Sequence, residues 1–239
     1  MGEDFQDLTT ENLSLQSTPG YRQSFPVFST DASIASGQGG AANGGNPAAV
    51  RMQRMIDFSQ GPVVPSGDPY HLAIQGQGFF EVKEADGSTS YTRNGAFTLS
   101  PTGKLLTSDG AQVLGQGGSP VTINTATGGT VSIGPDGSIS SNGAQVGTIG
   151  LVHFATPSTS LQPGAFGRFS APAGSAQQGL AANDQVMQGK LEQSNGNAVT
   201  DMANMIQAVR LYEANQKTIQ ASDTNQNQLI STLGARPAA

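Results

Sequence analysis

The chain contains no cysteine. Disulfide staples, thiolate nucleophiles and Cys-ligated metals are thereby excluded. Charge is also scarce: 12% of the 239 residues are Asp, Glu, Lys or Arg, and 11 basic residues stand against 17 acidic ones, a net charge of -6. No basic run occurs, so a phosphate backbone finds no electrostatic footprint and nucleic-acid binding is not expected. The only histidines, His71 and His153, lie in separate strand-like runs without a neighbouring cluster of ligands. No metal, cofactor or catalytic imidazole is expected from them. Long apolar runs are missing too, none approaching the roughly 20 residues that span a bilayer. The opening "MGEDFQDLTTENLSLQ" has no basic n-region leading into an apolar one. The expectation is a chain without direct membrane insertion and without a cleaved Sec signal.

Catalytic motifs are equally absent. Gly76-Gln77-Gly78 has Glu81 where a nucleotide fingerprint needs its third glycine, and it leads into a strand pattern instead of a helix. The Asp-Gly pairs lack the spaced ligands and closing Glu of a calcium loop. No nucleophile elbow, Walker loop or His-Glu-x-x-His is found. Glu81 and Glu84, three apart on a strand pattern, point to opposite faces and make a poor catalytic pair. The chain is not expected to be an enzyme.

What the chain has in quantity is glycine, 32 residues, with 13 prolines. These punctuate short apolar runs with turn pairs: Asp86-Gly87, Asn94-Gly95, Thr102-Gly103, Asp109-Gly110, Asp136-Gly137 and Asn142-Gly143. Such pairs supply the positive φ that tight hairpins need, which argues for antiparallel strands. Strands are predicted at 70–75, 78–84, 90–93, 96–100, 104–108, 120–123, 130–133 and 148–155, with "FGRFSA" a further candidate.

The ends read differently. Phe5, Leu8, Leu13 and Leu15 sit at loosely helical spacing before "STPGY" stops the run. So short a helix is marginal alone and needs a neighbour. Near the other end, Val199, Met202, Ile206, Val209, Tyr212 and Ile219 recur at three-, four- and seven-residue steps, resuming at Ile230 and Leu233. Asn197 is the expected N-cap and Asp201 falls in the first turn, at the positive end of the helix dipole. A helix from Ala198 to Leu233 runs about 54 Å. A stripe that long overruns a small sheet domain, so part of it must meet another helix.

The expected organisation is α+β: an N-terminal helical segment at 1–25, a flexible linker at 26–49, an antiparallel β-rich domain at 50–193 and a long C-terminal helix at 194–239.

Three stretches carry a family resemblance. "ENLSLQSTPGYR" at 11–22, "LAIQGQGFFEV" with "YTRNGAFTLSPTGKLLTSDGAQVLG" across 72–115, and "LEQSNGNAVTDMANMIQAVRLYEANQKTIQASD" at 191–223 resemble, in order, segments of the bacterial flagellar rod and hook family. The short interval between "STPGY" and "DFSQGP" favours a rod subunit, proximal ahead of distal. The resemblance implies a non-enzymatic structural subunit of the basal-body rod. It also implies a core layer lining an axis, in which the N- and C-terminal helices pair as a coiled coil, an outer β-rich domain, and export through the flagellar type III apparatus. Its partners would be other copies of itself and other axial proteins. Family motif positions are Thr18, Gly20, Tyr21, Gly76, Gly78, Phe79, Arg93, Gly95, Gly103, Asp109, Gly110, Asn195, Arg210 and Glu213. Leu8, Asn12 and Leu13 would pack between subunits together with the helical stripe, and the polar motif residues would make inter-subunit or capping contacts. The family's longer helical start implies that this chain is truncated ahead of Asn12. Gly196 departs from the family's valine, at a helix entrance where glycine costs little. A second reading, from another class, is a secreted β-rich adhesin-like module oligomerised through its last helix.

Overall fold

The computed structural model describes residues 2–30, 50–124, 130–172, 174–179 and 184–234. Helix α1 (Gly2–Leu15) leads into β1 (Ser24–Thr30) and β2 (Val50–Ile56). There follow β3 (Val63–Pro65), β4 (Leu72–Gln75), β5 (Phe79–Lys83), β6 (Thr89–Thr92), β7 (Phe97–Leu99), β8 (Leu105–Thr107) and β9 (Gln112–Val113). Next come β10 (Val131–Ile133), β11 (Ser138–Ser141), β12 (Ala144–Thr148), β13 (Leu151–His153), the single-turn α2 (Pro157–Ser160), β14 (Gln162–Pro163) and β15 (Arg168–Ser170). The chain closes with β16 (Gln177–Gln178), β17 (Gln185–Gln188), β18 (Lys190–Glu192) and α3 (Ala198–Gly234). This is a β-rich, antiparallel architecture with a few helices, an α+β arrangement.

The chain divides into two compact units, one combining Met1–Leu13 with Asn197–Ala239 and the other spanning Ser14–Gly196. In the helical unit, α3 runs for 37 residues. Its entrance is capped as the sequence predicts. The Asn197 Oδ1 accepts from the Val199 N–H at 3.0 Å and the Thr200 N–H at 3.4 Å, satisfying donors that no intrahelical carbonyl can reach. In α1, Leu8, Thr9 and Asn12 are buried, as is Asp201 in the first turn of α3.

In the β unit the main sheet has the order β14-β15-β6-β5-β9-β8-β7, with β13 pairing both β5 and β16. Every strand pair described is antiparallel, as expected where short turns join consecutive strands. Gly87, Gly103, Gly110, Gly137 and Gly143 of the turn pairs adopt positive φ. Gly95 does not, and its smallness serves another end: a Cβ there would lie 1.7 Å from the Leu72 carbonyl oxygen.

Two apolar clusters fill the unit. One gathers Leu72, Ile74, Phe80, Val82, Phe97, Leu105, Val113, Ile123, Ile139 and Ile149. The other is aromatic, with Phe79 at its centre: its ring meets Phe154 at 5.6 Å and Phe169 at 5.9 Å, both edge to face. That is the geometry ring quadrupoles favour.

Several expectations need correction. Residues 26–30, read as the start of a flexible linker, belong to β1, which pairs in register with β2 from Ser24↔Ile56 to Thr30↔Val50. The remainder of that stretch, 31–49, lies outside the described residues. The predicted strand at 120–123 is not one; Pro120 and Thr122 form isolated bridges to Leu114 and Lys104. Proline removes a ladder donor, which limits pairing at that point.

Candidate assembly interface

Three stretches of the β unit, distant in sequence, converge on Glu192. This residue ends β18, is fully buried, and its Oε1 accepts from the Arg22 guanidinium at 2.7 Å and from the Gly61 N–H at 2.9 Å. Its Oε2 faces Arg93 Nη1 at 3.4 Å. Arg22 also donates to the Ser59 carbonyl at 2.6 Å, and Arg93 to the Gly76 carbonyl at 2.7 Å. Arg93 further lies over the Phe79 ring, 4.8 Å from its centroid. Burial and the like charge of Arg22 push the Arg93 guanidinium down to about 10, while Glu192 and Asp184 pull the other way.

The backbone around this clasp is knitted just as closely. Gly20, at φ +69°, donates its N–H to the Glu192 carbonyl at 2.8 Å. A Cβ on it would stand 2.4 Å from the Arg93 carbonyl carbon, so only glycine allows the chain to pass. Asn195 accepts from the Gln23 N–H at 2.8 Å and donates to the Asp57 and Ser59 carbonyls at 2.8 and 3.0 Å. The residues just outside this knot, Leu13 and Asn197, are where the chain passes in sequence to its helical unit.

On α3, Val199, Met202, Ile206 and Val209 are all exposed, Val199 by 77% and Met202 by 51%. Their 3-4-3 spacing is that of a and d positions over two heptads, the seam of a coiled coil. Exposed in a row, these apolar side chains are the mark of an interaction surface.

Residues 73–141 match the family described as the flagellar hook protein FlgE/F/G D1 domain, and residues 187–232 match the flagellar basal body rod FlgEFG protein C-terminal family. The chain is 33% identical over 231 residues to the flagellar basal-body rod protein FlgF of Caulobacter vibrioides, across 95% of this chain and 91% of that protein. The chain belongs to the flagellar basal-body rod protein family. The rod protein FlgF of Escherichia coli is 32% identical over 246 residues, covering 95% of this chain and 92% of its own length. A rod protein FlgG of Buchnera aphidicola is 29% identical over 236 residues, across 91% of this chain and 89% of that protein. The balance favours the proximal, FlgF-type, rod protein.

The rod subunit distributes its motif residues unevenly. Thr18 accepts from the Tyr21 N–H at 3.2 Å, shaping the turn that presents Gly20 and Arg22 to the clasp. Gly76, Phe79, Arg93, Gly95 and Asn195 are part of the clasp or packed beside it. Asn195 was expected to make an inter-subunit or capping contact; its amide is instead bonded to two segments of its own unit, at Gln23 and at Asp57–Ser59. Gly78 is buried, Gly103 presses on the Ile123 carbonyl, and Gly110 closes the turn beside Asp109. Asp109 and Glu84 both hold the buried Arg168. Arg210 and Glu213 are exposed on α3. Leu8 and Asn12, expected between subunits, are buried in the chain itself and have little surface left for a neighbour. Leu13 is half-buried. Tyr212, Ile219, Ile230 and Leu233 fall within α3, but their side chains lie outside the described residues.

Residue-type patterns alone did not reveal Arg22, Gly61, Glu192 and Arg168. Arg22 follows the "STPGY" turn and Glu192 opens the C-terminal motif. A charged residue at the edge of a glycine-rich motif in so uncharged a chain was the signal available. Among the described residues no cluster of His, Asp and Glu fits a metal, and no helix is long and apolar enough to cross a membrane.

Proposed function

We propose that this rod subunit is built into the flagellar shaft through α3. Val199, Met202, Ile206 and Val209 are covered there by the equivalent helices of neighbouring copies and related axial subunits, with α1 of the same chain completing a coiled-coil-like layer. The exposed 3-4-3 stripe on a capped helix is the observation that carries this reading. The four side chains lie on the surface of the isolated chain, where each offers apolar area worth about 25 cal/mol per Å² on burial. The adhesin-like alternative is set aside by the family.

Within the β unit, the clasp at Glu192 ties the stretches around Arg22, Gly61 and Arg93 together, so a load carried by that unit is borne by buried ion pairs and paired backbone. Export through the flagellar type III apparatus, without a cleaved Sec signal, and a place in the basal-body rod complete the proposal.

The test replaces Val199, Met202 and Ile206 together with serine. Since these positions are exposed, thermal stability of the isolated chain should stay within about 0.5 kcal/mol of the parent. Self-association in sedimentation velocity and restoration of motility in a strain lacking the gene should both be lost. Normal assembly by the triple variant would refute the role of α3.

A further inference from the structure

One residue of the β unit holds a conformation its side chain disfavours. Phe166, in the turn between β14 and β15, has φ +57° and ψ +29°, and its ring is 66% exposed. Left-handed backbone is rare for a bulky residue, and an aromatic left this exposed buries little of its apolar surface in its own fold. The turn is nonetheless held firmly: the Gly164 N–H donates to the Arg168 carbonyl at 2.8 Å, and the buried Arg168 guanidinium stands 5.7 Å from the Phe166 ring centroid. The fold therefore displays an aromatic knob.

The same unit contains a hole of matching chemistry. A cleft of about 270 Å³ is lined by Phe58, Ser59, Gln77, Phe79, Arg93 and Pro157. Phe58 and Phe79 meet there edge to face at 6.0 Å; Phe79 is buried behind the wall, and Phe58, half-buried, is the ring an entering aromatic meets. At the polar side, Arg93 is 2% exposed and its Nε has no hydrogen-bond partner. A buried N–H without an acceptor is costly and calls for one.

We infer that the Phe166 turn of one copy inserts into the Phe58–Phe79–Arg93 cleft of a second copy, the ring filling the aromatic wall and a turn carbonyl meeting Arg93 Nε. Knob and hole are different patches of one unit, so the contact is heterologous. A heterologous contact leaves a free knob and a free hole at each end, which is what a growing polymer needs and a closed dimer lacks. A single ring is a small interface, so the contact works by adding to the helical one, each raising the effective concentration for the other. The inference rests on the subunit being polymeric, as proposed above, but not on which helix face is used.

The absence of native cysteine makes the test direct. Ala165→Cys chains, which keep the Phe166 ring in the same exposed turn, and Gln77→Cys chains are mixed at the concentration where the parent self-associates and treated with a short bis-maleimide. Mixed covalent dimers should exceed those from an Asp86→Cys and Gln77→Cys mixture at least tenfold; no excess overturns the inference. Phe166→Gly relieves the backbone and should raise the thermal midpoint while weakening self-association at least tenfold, and undiminished association overturns the inference as well. Met202→Cys chains report the helical contact separately. Cross-links there with none between positions 165 and 77 reject the knob and leave α3 intact as the assembly surface. When a related axial subunit is added, cross-links from position 165 to that subunit alone reject the second copy as occupant.

Discussion

Replacing Glu192 with alanine leaves Arg22 and Arg93 facing each other in the interior, with the carboxylate bonded to both of them gone and Asp184 left to act on Arg93. Both guanidiniums are almost wholly buried, so water cannot replace the carboxylate. Removing one partner of a buried ion pair costs about 3–5 kcal/mol. The Gly61 N–H loses its acceptor as well, which places Glu192→Ala at the upper end of that range. Against a total stability of roughly 5–15 kcal/mol for a domain, this is a third or more. At about 2–4 °C per kcal/mol for a unit of this size, the thermal midpoint should fall by roughly 6–20 °C. The chain has no tryptophan and 4 tyrosines, so scanning calorimetry and near-ultraviolet circular dichroism are the suitable readouts. The combined Arg22→Met, Glu192→Leu, Arg93→Met variant should recover most of the loss, because it removes the charges that needed solvation. A drop below about 1 kcal/mol for Glu192→Ala would refute the clasp as a stabilising element. A triple variant as unstable as the single one would refute the desolvation argument.

Two further outcomes follow from neighbouring features. Gly20→Ala should be more destabilising than Gly67→Ala by at least about 2 kcal/mol in chemical denaturation, since both have positive φ but only Gly20 would drive a Cβ into backbone, at 2.4 Å; equal effects would show that the crossing has slack. The Arg168 guanidinium beside Glu84 holds its carboxyl below the usual 4.5. In the window below 4.5 the unfolded chain binds this proton more readily than the folded one, so the stabilisation is present above 4.5 and lost as pH falls through the folded value. Glu84→Gln should flatten that acid limb, with a loss at neutral pH of no more than about 1 kcal/mol because the group is partly solvated; an unchanged limb would refute the pairing.

What could be read from the residues in advance followed the range of the signal. The turn pairs and the alternating runs are local, and they located β4 to β8, β10, β13 and β15, but not β2, β11, β12 or β17. Asn197, Asp201 and the apolar steps after them are local as well, and the helix begins where they place it. Strands of two residues such as β9, β14 and β16 carry no period to detect, and β1 hides behind Pro26. The clasp was illegible for a different reason. Arg22 and Glu192 are 170 residues apart, and no spacing rule relates them. Gly20 and Arg93 were noticed as motif residues, but their meaning is mutual: the glycine exists so that the chain can cross the arginine's backbone. Asn195 misled because a polar side chain beside a helix entrance has two physical uses, and only the fold shows that it ties loops together.

The distance of that tie along the chain also sets a clock. Closing a loop of 170 residues costs about 4.5 kcal/mol in chain entropy on top of a constant term. The β5–β6 and β7–β8 hairpins and the β10–β11–β12 sheet can pair through near neighbours as soon as they exist, but β4 waits for β17 and the β unit lacks its locking contact until β18 has arrived. Contacts of such high sequence separation belong to the slow part of folding. A β unit delivered from its N-terminus onward therefore stays loosely closed until nearly all of it is available, and then locks in one late step once β18 has followed.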